Sequence, residues 1–345
     1  MKGQGGRLLV GILLAAALLA LFFRGIDWSA LGQALRDARA LPLAGLVLVT
    51  LAVYAARAWR WGDLLAPLGR VGYADLFSAT MVGFASGLLV PRAGELLRPW
   101  LVSRRHPIPT SAGFATIILE RLVDLITVLA LFALYLFVLP PPAAQVEGRL
   151  TDLVKLGGAA TGAGALAVLV FLLALHSNAE RVVGTVERLL ACAPRWMAEP
   201  LGRILHAFSA GLAVLRAPAP HLAKIGVQSL VIWLLIALGF HLNHQAFGID
   251  LPFHATFLVI AFLVVGVAIP TPGMVGGFHA FYLIALNQVY GIDKTTAAAA
   301  GIAAHALTNL PILVCGLGLL GREGLSVGRV AAVTRDEGKL QEVRP

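Results

Sequence analysis

The stretch LLVPRAGELLRPWL, residues 88–101, decides how this chain is to be read. Residues 76–89 carry no charge, and then Arg92, Glu95 and Arg98 follow in quick succession. Pro91, Gly94 and Pro99, all residues that interrupt helices, stand among them. Charges and helix breaks therefore fall at the same depth of an apolar segment, and the surroundings have to account for both.

Those surroundings are membrane-like. Of 345 residues, 59% are hydrophobic and 13% charged, with a mean hydropathy of +0.84. A soluble domain carries about 25% charged residues. Apolar windows long enough to cross a bilayer recur at 8–23, 42–62, 75–90, 108–139, 154–175, 221–247, 253–269, 278–290 and 296–320. The net charge of +9 fits the Lys and Arg of cytoplasmic loops rather than nucleic-acid binding. Cys192 and Cys315 lie in a polar and an apolar segment, and a disulfide is not expected. The N-terminal run ends Leu21-Phe22-Phe23-Arg24, without small residues suited to cleavage, and reads as a retained span.

Residues 24–41 read as a short amphipathic helix with Trp28 at headgroup level. Residues 140–153 form a loop, and 176–220, with Arg181, Arg188, Arg195, Arg203 and Arg216, forms basic amphipathic helices against the inner leaflet. The segment 267–281, VAIPTPGMVGGFHAF, repeats the mixture of breaks and apolar residues. Non-helical backbone at membrane depth survives only where protein or a water-filled cavity satisfies it. Residues 75–103 and 253–290 are therefore expected to be re-entrant hairpins of two half-helices, the first from the cytoplasmic side and the second from the outer side. With both termini cytoplasmic, most of the 27 Lys and Arg fall inside, and the weakest point is the outer loop with Arg24, Arg36 and Arg39. The order span, span, hairpin, span then occurs twice with opposite orientation, an inverted repeat. Val90-Pro91-Arg92-Ala93-Gly94 matches Ile269-Pro270-Thr271-Pro272-Gly273, and 117–125 matches 302–310, setting Glu120 against His305 and Asp124 against Asn309. The predicted fold is an all-α integral membrane protein: a polytopic helical bundle of repeats 1–140 and 141–321, with a tail at 322–345.

Arg57, Arg60, Arg92, Glu95, Arg98, Glu120, Arg121 and Asp124 lie in or beside apolar spans. A charge at the bilayer centre costs about 3 kcal/mol even on the lenient insertion scale, so these must face an interior and pair. Glu120 and Asp124 are one helical turn apart and need cationic partners, for which Arg57, Arg92 or Arg98 serve; Arg121 points about 100° away. The alternatives are a structural ion-pair network and a polar pathway, and the set together favours the pathway. A half-helix starting after Pro91 points free N–H groups inward, where Arg92 and Arg98 add charge: an anion site. The second hairpin is expected to offer the same geometry, with Gly273, Gly276 and Gly277 admitting close backbone approach. His279 and His305 are candidates for proton exchange. His241 and His244 have a possible metal-ligand spacing but lack further ligands, so neither a metal nor a cofactor is expected. No Walker A or HExxH motif is present.

Taken together, VGFASGLLVPRAGELLRPWLVSRR, ATIILERLVDL and IPTPGMVGGFHAFYLIAL resemble a flippase-like family named for the transmembrane region of lysylphosphatidylglycerol synthase. The resemblance spans about 8–321 and rests on Gly94-Glu95-x-x-Arg98, Glu120-Arg121-x-x-Asp124 and Pro270-x-Pro272-Gly273-x-x-Gly276. It implies a lipid-translocating or lipid-binding membrane domain. In the synthases this region is fused to a soluble aminoacyl-transfer domain, which these 345 residues lack, so lysylphosphatidylglycerol synthesis is not expected here. Many relatives carry Glu at the position of His279 and Arg at that of Ala306, which puts a shared cationic substrate in doubt.

The resulting expectation is a bacterial-type inner-membrane protein that moves an anionic amphiphile, a phospholipid or polyprenyl-phosphate-linked lipid, between leaflets without ATP. The first-half site is Arg57, Arg92, Gly94, Glu95, Arg98, Glu120, Arg121 and Asp124; the second-half site is Pro270, Thr271, Pro272, Gly273, Gly276, His279, His305 and Asn309. Nucleic acid is not an expected partner; a second copy or a cytoplasmic enzyme is. The rival readings are a membrane-embedded transferase using Glu120 or Asp124 as base, and a membrane anchor acting through 176–220.

Overall fold

The computed structural model describes residues 2–89, 93–139, 217–269 and 271–324, together with Val170 and Arg188. The expected loop at 140–153, the expected span at 154–175 except Val170, the tail beyond 324 and the basic segment 176–220 except Arg188 and 217–220 lie outside these residues, as do the expected boundary between the two repeats and Cys192. Among the described residues every regular element is helical.

Helix α1 (Lys2–Phe23) turns at Gly25, whose φ of 70° suits glycine, into α2 (Trp28–Asp37) at 87°. Asp27 caps α2 by accepting from the backbone N–H groups of Ser29 at 2.8 Å and Ala30 at 3.2 Å. Trp28 is exposed and stacks on Phe23, as a residue at the interface would. Helices α3 (Ala40–Leu65), α7 (Ala219–Ala246) and α10 (Lys294–Arg322) are apolar and run 26, 28 and 29 residues. At 1.5 Å per residue each reaches about 40 Å, enough to cross a bilayer core. Helix α6 (Thr110–Phe137) is as long, but carries Glu120, Arg121 and Asp124 near its middle.

The elements between these long helices are short. Helices α4 (Tyr73–Leu89) and α5 (Ala93–Ser103) have 17 and 11 residues, and α8 (Ala255–Ala268) and α9 (Gly277–Leu283) have 14 and 7. None reaches about 30 Å. The expected span at 278–290 is thus only two turns of α-helix, continued by a π-helical turn at Ile284–Val289.

Each short pair folds back on itself through a glycine crossing. A methyl group added at Gly94 would stand 2.2 Å from the Gly83 carbonyl oxygen, and one at Gly277 would stand 2.2 Å from that of Gly266. The sequence separation is the same in both hairpins. The hairpins enter from opposite ends of the bundle. At the base of the first, Arg105 pairs with Asp75 at 2.8 Å and with Glu323, at the end of α10, at 3.0 Å. At the base of the second, the Tyr290 hydroxyl donates to the Ala255 carbonyl at 3.0 Å, and Lys294, at the start of α10, donates to the Arg24 carbonyl. The tips approach one another where Gly273 nears the Leu88 carbonyl.

The apolar core is correspondingly divided. One cluster, around Trp61, Leu64, Leu97 and Ile117, belongs to the first hairpin and its neighbours. A second, around Phe240, Leu258, Tyr282 and Tyr290, belongs to the second hairpin, and a small third one, Met81, Ala85 and Ile312, joins α4 to α10. Helix α6 joins the first two: Ile117 and Leu119 enter the first cluster, and Val128, Leu131 and Phe132 the second.

The crossings predict a sharp contrast among glycines. Gly94→Ala and Gly277→Ala force a methyl against a backbone carbonyl that cannot move alone, and each is expected to cost about 1–3 kcal/mol. Gly318, also helical, has nothing within 4 Å of an added methyl. Gly318→Ala is expected to be neutral or stabilising by up to about 1 kcal/mol. Thermal unfolding of the detergent-solubilised variants checks this, and equal midpoints for all three would contradict the crossings.

Candidate functional site

Five charged side chains meet inside the bundle. Arg98, on the second arm of the first hairpin, grips Glu120 of α6 in a two-pronged contact, with Nη1–Oε1 at 3.0 Å and Nη2–Oε2 at 3.1 Å. One turn on, Asp124 accepts from Arg60 Nη1 at 2.6 Å and from Arg57 Nη1 at 3.2 Å, both on α3. Trp233 Nε1 of α7 donates to the same carboxylate at 3.1 Å, and Arg60 also reaches the Ser229 hydroxyl at 2.9 Å. The Arg98 guanidinium lies 4.4 Å from the centre of the Trp61 ring. Glu120 and Arg60 are fully buried, and Arg98 is 2% exposed. Three guanidinium groups face two carboxylates, so this inner group carries a net positive charge.

A cavity of about 730 Å³ opens beside it, bounded by both hairpins and by α3, α6, α7 and α10. One wall carries charge: Arg57, Glu95, Arg98, Arg121 and Asp124. The lining from α7 and α8 carries no charge, with Phe240, Ile260, Leu263 and Val264 among its members. Arg121 and Glu95 face each other at 3.9 Å across the charged side, and the Arg121 guanidinium lies 5.6 Å from the centre of the Phe84 ring.

Of the expected first-half residues, Arg57, Gly94, Glu95, Arg98, Arg121 and Asp124 line this cavity, and Glu120 stands behind the wall, held by Arg98. Arg92 lies outside the described residues. In the second half, Thr271 and Asn309 line the cavity; Thr271 is 4% exposed, and Asn309 Nδ2 donates to the His305 carbonyl at 2.8 Å. Pro270 lies outside the described residues, and Pro272 and Gly273 form the tight turn at the hairpin tip, with Gly273 at φ 61°. His279 and His305 are brought together, ring centres 4.6 Å apart, but neither lines the cavity. His305 Nε2 is 2.9 Å from the Gly273 carbonyl oxygen, and His279 packs on Phe22 of α1.

The anion-site geometry requires two corrections. The half-helix α5 does begin at the break, but its first turn carries Glu95, whose carboxylate already occupies the neighbourhood of the helix dipole. At the start of the second half-helix, Gly276 and Gly277 do not line the cavity. Gly276, at φ 90°, sits against α1, where an added methyl would lie 3.0 Å from the Ala15 carbonyl oxygen. The two halves are unlike because α1 covers the second hairpin. His241 and His244 point elsewhere: His244 is fully buried beside Tyr282, and among the described residues no three His, Cys, Asp or Glu side chains converge as a metal site would require.

Sequence reading named Arg60 among the membrane charges but left it out of the site, and it passed over Trp233, Ser229, Trp61 and Phe84. Arg60 is three residues from Arg57, hence on the same helical face, and that spacing was the available signal. Nothing local marks Trp233 or Ser229, which reach Asp124 from a helix more than a hundred residues away.

The network predicts strong coupling. Glu120→Leu strands Arg98 in the interior, and Arg98→Met strands Glu120; each is expected to cost about 3–5 kcal/mol. The double variant is expected to lose clearly less than the sum, measured as a double-mutant cycle in denaturant or thermal unfolding. Additive losses would show that the contact carries no coupling.

Comparison with known proteins places this architecture. Glycosyltransferase AglD of Haloferax volcanii is 25% identical over 339 residues, an alignment covering 90% of this chain and 53% of that protein. The chain thus spans about half the length of this curated relative. No solved structure matches. Residues 8–316, which hold the network, both hairpins and all of the cavity lining, match the family described as the lysylphosphatidylglycerol synthase TM region. The chain is an integral membrane protein and belongs to that family.

Proposed function

We propose that this protein binds an anionic amphiphile, a phospholipid or polyprenyl-phosphate-linked lipid, in the cavity and passes it between leaflets without ATP. The observation that carries this reading is the cavity bordered by both hairpins, lined by charged side chains from α3, α5 and α6 and by apolar side chains from α8. A phosphate on the charged wall and an acyl or prenyl chain along the apolar wall would each meet its own chemistry. The net positive inner group favours an anion over a cation. The volume is that of a small-molecule site, so it takes a headgroup and the first part of a chain rather than a whole lipid. Opposed hairpins around one mid-depth site fit an inverted repeat worked by alternating access. Cytoplasmic termini and residence in a bacterial-type inner membrane are part of the same proposal.

A second reading is a membrane-embedded transferase, favoured by the name of the Haloferax volcanii relative. Against it stands the engagement of the carboxylates. Glu120 and Asp124 spend their oxygens on guanidinium, indole and hydroxyl donors, a poor setting for a general base.

Proteoliposomes carrying a headgroup-labelled anionic phospholipid test the two. Wild-type protein is expected to move label between leaflets. Arg121→Ala, which removes a partly exposed cavity charge, is expected to slow this about tenfold, and Leu263→Trp, which fills the apolar side, to abolish it. Rates equal to those of protein-free vesicles would overturn the flippase reading, and a covalently altered lipid in the mass spectrum would establish the transferase instead.

A further inference from the structure

The charges on the cavity wall are not equally available to a ligand. The side chains of Arg57, Arg98 and Asp124 are 8%, 2% and 6% exposed, and each is committed to a partner. Those of Glu95 and Arg121 are 44% and 43% exposed. Their closest approach, Arg121 Nε to Glu95 Oε1, is 3.9 Å, beyond hydrogen-bond reach. The inner group is therefore scaffold, and this loose outer pair is what an arriving headgroup meets. Exposed pairs at such distances contribute little and are cheaply separated.

The chemistry of the pair is specific. A guanidinium offers a planar fork of donors that matches a phosphate. An ionised carboxylate only accepts, so it is satisfied by a donor and repels a further anion. Resting on the reading that the cavity takes a lipid headgroup, we propose that Glu95 and Arg121 select it. Arg121 takes the phosphodiester, and Glu95 accepts from a hydrogen-bond donor, a hydroxyl or an ammonium, that the headgroup carries beyond the phosphate. A bare phosphomonoester brings extra negative charge and no such donor, and is rejected at Glu95. Glu95 thus sets specificity in a site whose net charge alone would favour the most anionic lipid.

The test is a binding competition, which does not need translocation. Purified protein is exposed in mixed micelles to equal amounts of phosphatidylglycerol, phosphatidylethanolamine and phosphatidic acid, and retained lipid is read by native mass spectrometry. Wild type is expected to hold at least one of the first two about tenfold above phosphatidic acid, the discrimination lost with a hydrogen bond to a charged group. Phosphatidylglycerol leading would identify the donor as hydroxyl, and phosphatidylethanolamine leading as ammonium. Glu95→Gln, whose amide can itself donate, is expected to bring the ratio near one. Arg121→Gln is expected to lower retention of all three. A wild type that holds phosphatidic acid equally well, or a Glu95→Gln variant that keeps the wild-type ranking, overturns the proposal. A ranked binding profile without translocation in vesicles would remove the flippase reading and leave this one standing, so the two failures are distinguishable.

Discussion

The burial of Glu120 and Asp124 on α6 constrains everything around them. Two carboxylates one turn apart in a membrane interior repel each other and have lost their water, and only nearby cations make that tolerable. The partners come from different elements: Arg98 from the first hairpin, Arg57 and Arg60 from α3, with Trp233 from α7 adding a donor. Because each partner must arrive at hydrogen-bonding distance, the network fixes the relative positions of four helices more tightly than apolar packing between lipid-facing helices would. The hairpin in particular cannot be withdrawn without stranding both Arg98 and Glu120.

That requirement explains the glycines. Arg98 reaches α6 only if α5 lies close to α4, and the closeness is extreme: a methyl at Gly83 would fall 2.3 Å from the Arg98 Cγ, and one at Gly94 would fall on the Gly83 carbonyl. Membrane helices associate through small residues at such contacts because lipid offers no hydrophobic drive between them. The second hairpin uses the same device at Gly266 and Gly277 without a comparable ion pair, and there the contact with α1 and the aromatic cluster of Phe240, Phe278 and Tyr282 holds the arms.

Much of this was legible in the sequence, for identifiable reasons. The long spans were plain because hydropathy over about twenty residues is a strong signal. The hairpins could be anticipated because Pro and Gly fell beside charges at depths where broken backbone needs a cavity. The pairing of Glu120 with Arg98 was among the options left open, since spacing says that two carboxylates share a face but not which arginine reaches them. The matching of Gly94 with Gly273 was less apt than the geometry suggests: the residues that play equivalent parts at the crossings are Gly94 and Gly277. Motif similarity followed the Pro-Gly turn, whereas packing follows the helix contact. The packing of His279 on Phe22 of α1 was not legible, because the contact between α1 and the second hairpin leaves no periodic trace in either segment.

A carrier has to hold its substrate firmly enough to admit it and loosely enough to release it. Placing ligand-binding charges in the buried network would defeat this, because separating Arg98 from Glu120 to engage a phosphate would take away both hydrogen bonds of a fully buried carboxylate and leave only the longer contacts to Arg57 and Arg60. The division into a committed inner group and a loosely paired outer one avoids the conflict. The inner charges keep the hairpin seated and supply a positive field at the cavity wall without moving. Glu95 and Arg121, with nearly half of each side chain exposed, are on the proposed reading the pair that exchanges one another for a ligand and then returns. Arg98 and Glu95 of the opening stretch thus divide by exposure: Arg98 is buried on Glu120 and holds the fold, and Glu95, one turn earlier, is the part-exposed carboxylate that the proposed reading assigns to the ligand.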